Sequence, residues 1–318
     1  MFSLARTALL FLAAIGLAQA QSWPTKPVRL IVSSPIGSAP DIVARIVADK
    51  LAPMWGRPLV IDNRGGPTGV VGAAALASAD PDGYTFGVLQ TAAVALTPVM
   101  YKNPQYNVAD LKAVAMTGTA PLIIVVHPSV PANNIDEFLK LAKSQPGKLN
   151  FALSLANSVP HLVGEMMARS AGAQLYNVPY NGAAQATTAT IAGDAQMTIN
   201  ALAPIIPHVK SGKLKALGVT SPGRLPGYPD LPAVNETIPN FSAYGWFAVF
   251  SPAKVPDAIS ERVNADVNQV TALPDVTARL AELGIYPKPM SRAQIAEFVK
   301  SEQALWGKVV RDMGIKPE

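Results

Sequence analysis

Short apolar runs alternate with amphipathic stretches along this chain, and the alternation predicts strands separated by helices. The opening unit shows the pattern. Residues 28–32 form a β-branched run that predicts a buried strand, a loop of small residues follows, and residues 41–51 predict a helix with one apolar face. Further strands are predicted at residues 58–63, 84–89, 121–126, 149–153, 176–180, 195–200, 214–220 and 243–250.

Helical periodicity is found between most of these strands and again after the last one. The predicted helices are at residues 70–77, 135–142, 159–171, 183–192, 204–211, 257–273 and 291–313. Strands joined by crossover helices are typical of parallel sheets, so the predicted fold class is α/β. The order of the elements predicts two α/β lobes, the first from residues 21–121 with 245–318 and the second from residues 122–244.

Two strand-to-helix connections have the composition of an anion-binding site. In the first lobe, residues 33–41 contain Gly37 and then Pro40, and in the second lobe residues 154–161 contain Ser158 and then Pro160. The first N–H groups of a helix are unpaired, and the helix dipole adds positive potential there. Ordinary connections in α/β proteins have the same composition, so this pattern alone leaves both interpretations open.

The composition indicates an exported protein. The chain has 318 residues, no cysteine, and 26 Lys and Arg against 21 Asp and Glu, a net charge of +5. Residues 1–20 predict a signal peptide, Met1 to Ala20, with a basic start at Arg6, an apolar core and a small-x-small cleavage pattern. Removing this segment leaves 25 basic and 21 acidic residues, a net charge of +4. We therefore expect a protein of the periplasm that uses no disulfide.

Few residues are candidates for catalysis. The sequence has no Gly-x-Ser-x-Gly motif, and its three histidines lack metal-ligand spacing, so we expect no metal, no cofactor and no enzyme activity. His161 near Ser158 leaves a nucleophile–base pair open, although a histidine that packs or hydrogen-bonds at a helix start fits the spacing better. No basic run interleaved with aromatic residues is present, so we expect no nucleic-acid partner.

Several short motifs occur in a fixed order along the whole mature chain. They are residues 31–37 with Asp-Ile-Val-Ala-Arg at 41–45, Asp-Asn-Arg at 62–64, Pro-Asp-Gly-Tyr-Thr at 81–85, Pro-Gly-Lys-Leu-Asn at 146–150, His-Leu at 161–162, Val-Pro-Tyr-Asn-Gly at 178–182, Gly-Lys-Leu-Lys-Ala-Leu at 212–217, Trp-Phe at 246–247 and Ser-Pro-Ala at 251–253. Together they resemble the solute receptors of tripartite tricarboxylate transporters, also called the Bug family.

This resemblance implies a type II periplasmic binding protein, in which two α/β lobes close on a small organic acid such as a dicarboxylate or an aromatic carboxylate. It implies a monomer that delivers the solute to the membrane permease subunits of a tripartite tricarboxylate-type transporter. A periplasmic enzyme using the same cleft and a ligand sensor for a signalling partner are the alternatives. Transferred position by position, the ligand-binding residues are Ser33, Ser34, Ile36, Gly37, Ser38, Ala39, Asp41, Gln90, Thr91, Ser154, Asn157, Ser158, His161, Tyr180, Asn181, Gly182, Ala183 and Asn200.

Two loops depart from the usual pattern of the family. Ser34, Ser38 and Pro40 stand where Phe, Gly and Thr are common, and Pro40 removes one backbone donor from the helix start. Leu155 and Ala156 stand where Gly and a polar residue are common. These changes predict a pocket with more aliphatic surface, suited to a less polar carboxylate.

Three further residues have two interpretations each. Asp41 is placed either to cap its helix or to contact an amine-bearing ligand. Arg64 is placed to bind an anion or to pair with a neighbouring loop, and Trp246 to pack at the hinge or to form a ligand platform.

Overall fold

The computed structural model describes residues 23–317, so the predicted signal peptide, residues 1–20, lies outside the described residues. The strands are β1 (Val28–Val32), β2 (Leu59–Asn63), β3 (Thr85–Gln90), β4 (Leu111–Ala120), β5 (Leu122–Val126), β6 (Asn150–Leu153), β7 (Tyr176–Pro179), β8 (Met197–Ala201), β9 (Lys215–Val219) and β10 (Gly245–Pro252). The α-helices are α1 (Ala39–Trp55), α2 (Val70–Ala77), α3 (Thr97–Met100), α4 (Ile135–Ser144), α5 (Val159–Ser170), α6 (Ala183–Ala192), α7 (Leu202–Lys210), α8 (Asp257–Thr271), α9 (Pro274–Glu282) and α10 (Arg292–Asp312).

The strands form two five-stranded sheets that share one plan. The first sheet has the order β2-β1-β3-β10-β4, and the second has the order β7-β6-β8-β5-β9. In each sheet the fourth strand runs antiparallel to its neighbours and the others run parallel. Two mixed α/β sheets of this kind are the lobes of a type II periplasmic binding protein, which confirms the predicted fold class.

One residue, Pro121, separates the last residue of β4 from the first residue of β5. Ala120 at the end of β4 pairs with Gly245, and Gln90 at the end of β3 pairs with Phe247 two residues further along β10. In the second sheet Leu122 pairs with Ala201, the last residue of β8. The chain therefore joins the two sheets directly at the edges where their parallel strands end.

Helices with one apolar face cover both sheets. Val47 of α1 and Val267 of α8 belong to one buried cluster with Val32 of β1. A larger buried cluster extends from Trp246 in the first sheet to Phe138 and other apolar residues that pack on the second sheet. The two lobes therefore share part of their apolar core.

Side-chain caps explain where two of the predicted helices begin. The Ser291 hydroxyl accepts a hydrogen bond from the Gln294 N–H, and the Gln294 side chain accepts one from the Ser291 N–H, which is a complete capping box for α10. The Asn134 side chain likewise accepts a hydrogen bond from the Glu137 N–H at the start of α4.

The strand β4 and the short helices α3 and α9 are not among the elements predicted from the sequence. The apolar character of β4 is interrupted by Lys112, Thr117 and Gly118. Thr117 is nevertheless fully buried, and its buried hydroxyl is satisfied because it donates to the Phe247 carbonyl at 2.8 Å. The longest strand of the first sheet therefore lacks a continuous apolar run. Between residues 23 and 317, no helix combines the length and apolar character needed to cross a bilayer.

Close packing of α5 on β6 gives a first prediction. A Cβ atom at Gly164 would overlap the Phe151 ring, so Gly164→Ala should lower the free energy of unfolding by about 1–3 kcal/mol in urea titrations. Gly307→Ala is the matched control, because its Cβ would lie 3.4 Å from the nearest neighbouring atom, an Arg311 nitrogen, in the middle of α10. This control should be neutral or stabilising by up to about 1 kcal/mol. Equal effects of the two variants would contradict this packing.

Candidate ligand site at the strand ends

The candidate site lies where the parallel strands of each sheet end. In the first sheet Val32 at the end of β1 lies beside Asn63 and Val88, so the connections after β1, β2 and β3 leave at one edge. In the second sheet Leu153 at the end of β6 lies beside Pro179, and Ala152 lies beside Thr198. Because Pro121 joins these two edges, the loops of both lobes start at the edges on either side of this one-residue connection.

The loops that follow β1 and β6 have the same conformation. The Ser38 hydroxyl donates to the Pro35 carbonyl at 2.6 Å, and the Ser158 hydroxyl donates to the Leu155 carbonyl at 2.7 Å. The residue before each serine is in the left-handed region, Gly37 with φ +80° and Asn157 with φ +59°. Each serine occupies the N-cap position of the next helix, but neither uses its side chain as a cap.

A side chain four residues further on completes each loop. The Gly37 N–H donates to Asp41 Oδ2 at 2.9 Å, and the Asn157 N–H donates to His161 Nδ1 at 2.9 Å. An asparagine from the neighbouring strand approaches each of these two side chains. Asn63 Nδ2 donates to Asp41 Oδ1 at 2.9 Å, and an Asn177 amide nitrogen lies 3.3 Å from His161 Nε2. Different side chains therefore build the same loop in the two lobes.

This arrangement leaves two backbone donors unpaired at the start of each helix. The Ile42 N–H donates to the Ser38 carbonyl, and the Leu162 N–H donates to the Ser158 carbonyl, which are the first helical bonds. Proline at the second helical position supplies no donor in either helix. Among residues 23–317 no acceptor is found for the N–H groups that remain in these two first turns, those of Ala39, Asp41, Val159 and His161.

Asp41 is buried and holds the first loop together. Burial raises the pKa of its carboxyl, but hydrogen bonds from Arg45, Gly37 and Asn63 outweigh this effect, and the pKa lies below its usual value. Both carboxylate oxygens are occupied by these three donors. Of the two interpretations of Asp41, the geometry therefore favours the structural one.

Arg64 and Trp246 also have partners within the protein. Arg64 Nε donates to Asp62 Oδ2 at 3.0 Å. Trp246 is fully buried and its indole N–H donates to Glu302 of α10 at 2.8 Å, while burial raises the pKa of the Glu302 carboxyl. The Trp246 backbone N–H also donates to the Thr91 hydroxyl. Through Trp246, helix α10 therefore holds Thr91, the residue that follows Gln90, in place.

His161 and Ser158 do not form a nucleophile–base pair. The Ser158 hydroxyl donates to a carbonyl, and His161 Nδ1 accepts from the Asn157 N–H. Since Nδ1 is an acceptor, the neutral imidazole has its proton on Nε2. No group of three or more His, Asp or Glu side chains suited to a metal occurs in the part of the chain that the structure describes.

The predicted ligand-binding residues fall into three groups by exposure. Five have buried side chains: Ser33, Ser34, Asp41, Thr91 and Asn200. Five are exposed: Ile36, Gly37, Ala39, Asn181 and Ala183. Eight are half-buried: Ser38, Gln90, Ser154, Asn157, Ser158, His161, Tyr180 and Gly182.

All five buried side chains find hydrogen-bond partners inside the lobes, Asp41 as described above and Ser34 at the Gln90 side chain. The Ser33 hydroxyl donates to the Val88 carbonyl, the Thr91 hydroxyl bonds to the Trp246 backbone, and the Asn200 amide donates to Thr187 and Thr198 side chains. These hydrogen bonds hold Ser33, Thr91 and Asn200 in place at the strand ends. Asn63 and Asn177 are not among the predicted site residues, although an asparagine at or near a strand end is a signal that could have found them.

Two of the cavities among residues 23–317 are larger than the others described and lie away from these loops. One of about 570 Å³ lies at the hinge and is lined by Pro121, Tyr286 and residues 221–226, and one of about 440 Å³ lies between α5 and α10. None of the predicted ligand-binding residues lines either cavity. Since Ile36, Leu155 and their neighbours are exposed, the space that the two loops border is not an enclosed cavity.

The model of the tripartite tricarboxylate transporter family receptor, TctC, matches residues 43–315. The chain belongs to this receptor family. A UPF0065 protein of Bordetella bronchiseptica is 34% identical to this TctC receptor over 99% of the chain and 95% of its own length. The predicted family is therefore confirmed.

Solved structures of similar proteins agree with this assignment. R. palustris Rpa4515 with adipate has a TM-score of 0.80 at 30% identity and covers 93% of this chain and 100% of its own. MatC from Rhodopseudomonas palustris with bound malate has a TM-score of 0.74 at 27% identity, and the match covers 91% of this chain and 100% of that one. TctC receptors are periplasmic binding proteins without enzyme activity, which confirms the expectation of a receptor rather than an enzyme.

The environment of His161 gives a prediction about pH. Burial lowers the pKa of its imidazole, and the Glu165 carboxylate opposes only part of this effect; the Asn177 amide and the Phe151 ring are its other close neighbours. The unfolded chain therefore takes up this proton at a higher pH than the folded chain, near the ordinary value of about 6.5. The free energy of unfolding should fall as the pH is lowered through that value.

Urea titrations at several pH values between about 7.5 and about 5.5 measure this dependence. His161→Asn keeps an acceptor for the Asn157 N–H and removes the titrating group, so its free energy of unfolding should depend less on pH. The same pH dependence in the variant and the parent would show that His161 has no depressed pKa.

Proposed function

We propose that this TctC receptor captures a small organic carboxylate between its two lobes and delivers it to the membrane permease subunits of a tripartite tricarboxylate transporter. The observation that supports this proposal is the pair of loops with one conformation, each ending in a helix start with two unpaired N–H groups. Four such donors at one crevice suit an anion with carboxylate oxygens. We further propose that the lobes divide at residues 121 and 245, since the sheets change at these points.

The positive potential in this proposal comes from the backbone. Arg45 and Arg64 are the cationic side chains bonded within the first loop region, and both are paired with aspartates, Asp41 and Asp62. His161 in the second loop is held neutral by burial. A carboxylate would therefore be bound by N–H groups and helix dipoles, each charge-assisted hydrogen bond contributing roughly 1.5–3 kcal/mol.

Relatives support the ligand class. Rpa4515 was solved with adipate and MatC with malate, and both ligands are dicarboxylates. We extend this class, small organic carboxylates, to the present chain. We also propose that residues 1–20 direct export to the periplasm, where a binding protein of this family meets its solute.

Proline substitution tests the backbone donors directly. Ala39→Pro and Val159→Pro each remove one unpaired N–H at a first helical position, where proline is tolerated. Ser38 and Ser158 before them have ψ of 161° and 164°, the backbone that proline requires of its preceding residue. Calorimetry of residues 21–318 with dicarboxylates should show an affinity loss of about tenfold or more in each variant.

Ala39→Ser and Val159→Thr are the controls, because they keep the N–H group. Their affinities should stay close to that of the parent, and all four variants should unfold at similar urea concentrations. If the proline variants bind as tightly as the parent, the carboxylate is not held at these helix starts. If the parent binds no mono-, di- or tricarboxylate, the proposed function itself is wrong.

A further inference from the structure

Both loop tips of the candidate site present apolar side chains to solvent. Pro35 and Ile36 precede the left-handed Gly37 in the first loop, and Leu155 and Ala156 precede the left-handed Asn157 in the second. Ile36 is 76% exposed and Leu155 is 57% exposed. Neither side chain packs in the hydrophobic core, because neither belongs to a buried apolar cluster.

The position of these residues distinguishes them from other exposed apolar side chains. Single apolar residues scattered over a surface are ordinary, and Met54, Val60 and Tyr176 are of that kind. Ile36 and Leu155 instead occupy neighbouring positions of two loops with the same conformation. The loops leave the two sheet edges that Pro121 joins, so both tips lie at the strand ends next to this connection.

Several polar side chains around the tips are committed to the loops themselves. The Ser38 and Ser158 hydroxyls donate to loop carbonyls, and Asp41, Arg45 and Arg64 are paired. A ligand hydroxyl placed at these five side chains would therefore compete with their internal hydrogen bonds. A hydrocarbon segment placed between Ile36 and Leu155 would instead cover apolar surface that is now exposed to water.

We propose that Ile36 and Leu155 select carboxylates with an unsubstituted hydrocarbon body, packing against that body from the two lobes while the helix starts bind the carboxylate. This inference rests on the proposed function and specifies the ligand class of the same site. Because burying one methylene group raises affinity about fourfold, the preference should grow with each added methylene until the chain exceeds the gap between the tips.

Calorimetry with a series of straight-chain dicarboxylates tests this selection. The probes are succinate, adipate and suberate, with two, four and six methylenes, and malate as the hydroxylated short acid. Affinity should rise along the series, and adipate should bind at least tenfold more tightly than malate. Ile36→Ser and Leu155→Ser should each reduce suberate affinity several-fold more than succinate affinity.

Val60→Ser is the matched control, since Val60 is exposed to a similar degree on β2 and lies outside the loops. It should leave the whole series unchanged. The selection by Ile36 and Leu155 would be wrong if the parent bound succinate and suberate with equal affinity, or if each loop variant lost the same factor of affinity for both acids. Either result would still be compatible with a receptor for carboxylates. Absence of binding to every acid in the parent would overturn the receptor proposal as well.

Discussion

A single hydrogen bond defines the shape of both candidate ligand loops. It runs from the N–H of a left-handed residue to a side chain four positions later, from Gly37 to Asp41 in one lobe and from Asn157 to His161 in the other. The bond closes the turn that brings the chain from strand to helix. The bond also pairs the N–H group of the left-handed residue. The backbone N–H groups that remain without an acceptor are therefore those in the first turn of the helix.

The two lobes meet this requirement with opposite chemistry. The first uses a carboxylate whose charge is balanced by Arg45, and the second uses an imidazole that burial keeps neutral beside Glu165. The geometry of the loops is the same, while the side-chain charges differ. Positive potential common to both loops can therefore arise only from the backbone N–H groups and the helix dipoles. These groups can bind an anion even though the described arginines of this region, Arg45 and Arg64, are already paired with aspartates.

The sequence predicted the framework well where apolar periodicity is strong. β1 and the helices α2 and α6 were placed within the observed bounds, and the strand-to-helix loops were recognised from Gly37, Pro40 and Pro160. β4 was missed because buried threonine and glycine hide its apolar pattern. Periodicity reports burial along one segment, so it cannot detect a polar residue whose partner comes from a distant strand.

The site was harder to predict than the fold. Residues taken from the family motifs include Ser33, Thr91 and Asn200, whose side chains are occupied inside the lobes. The equivalence of Asp41 and His161 could not be read from the chain, because the two residues share no chemistry beyond an acceptor atom. Only the three-dimensional path of the two loops makes them counterparts.

The place of β10 has a consequence for how the molecule assembles. The second sheet is built from residues 122–219, one continuous stretch, and its strands can pair as soon as that stretch exists. The first sheet has a gap between β3 and β4 that only residues 245–252 fill. Pairings between such distant parts of a chain form slowly. The first sheet can therefore be completed only after the last quarter of the polypeptide has been made, whereas the second sheet can form before it.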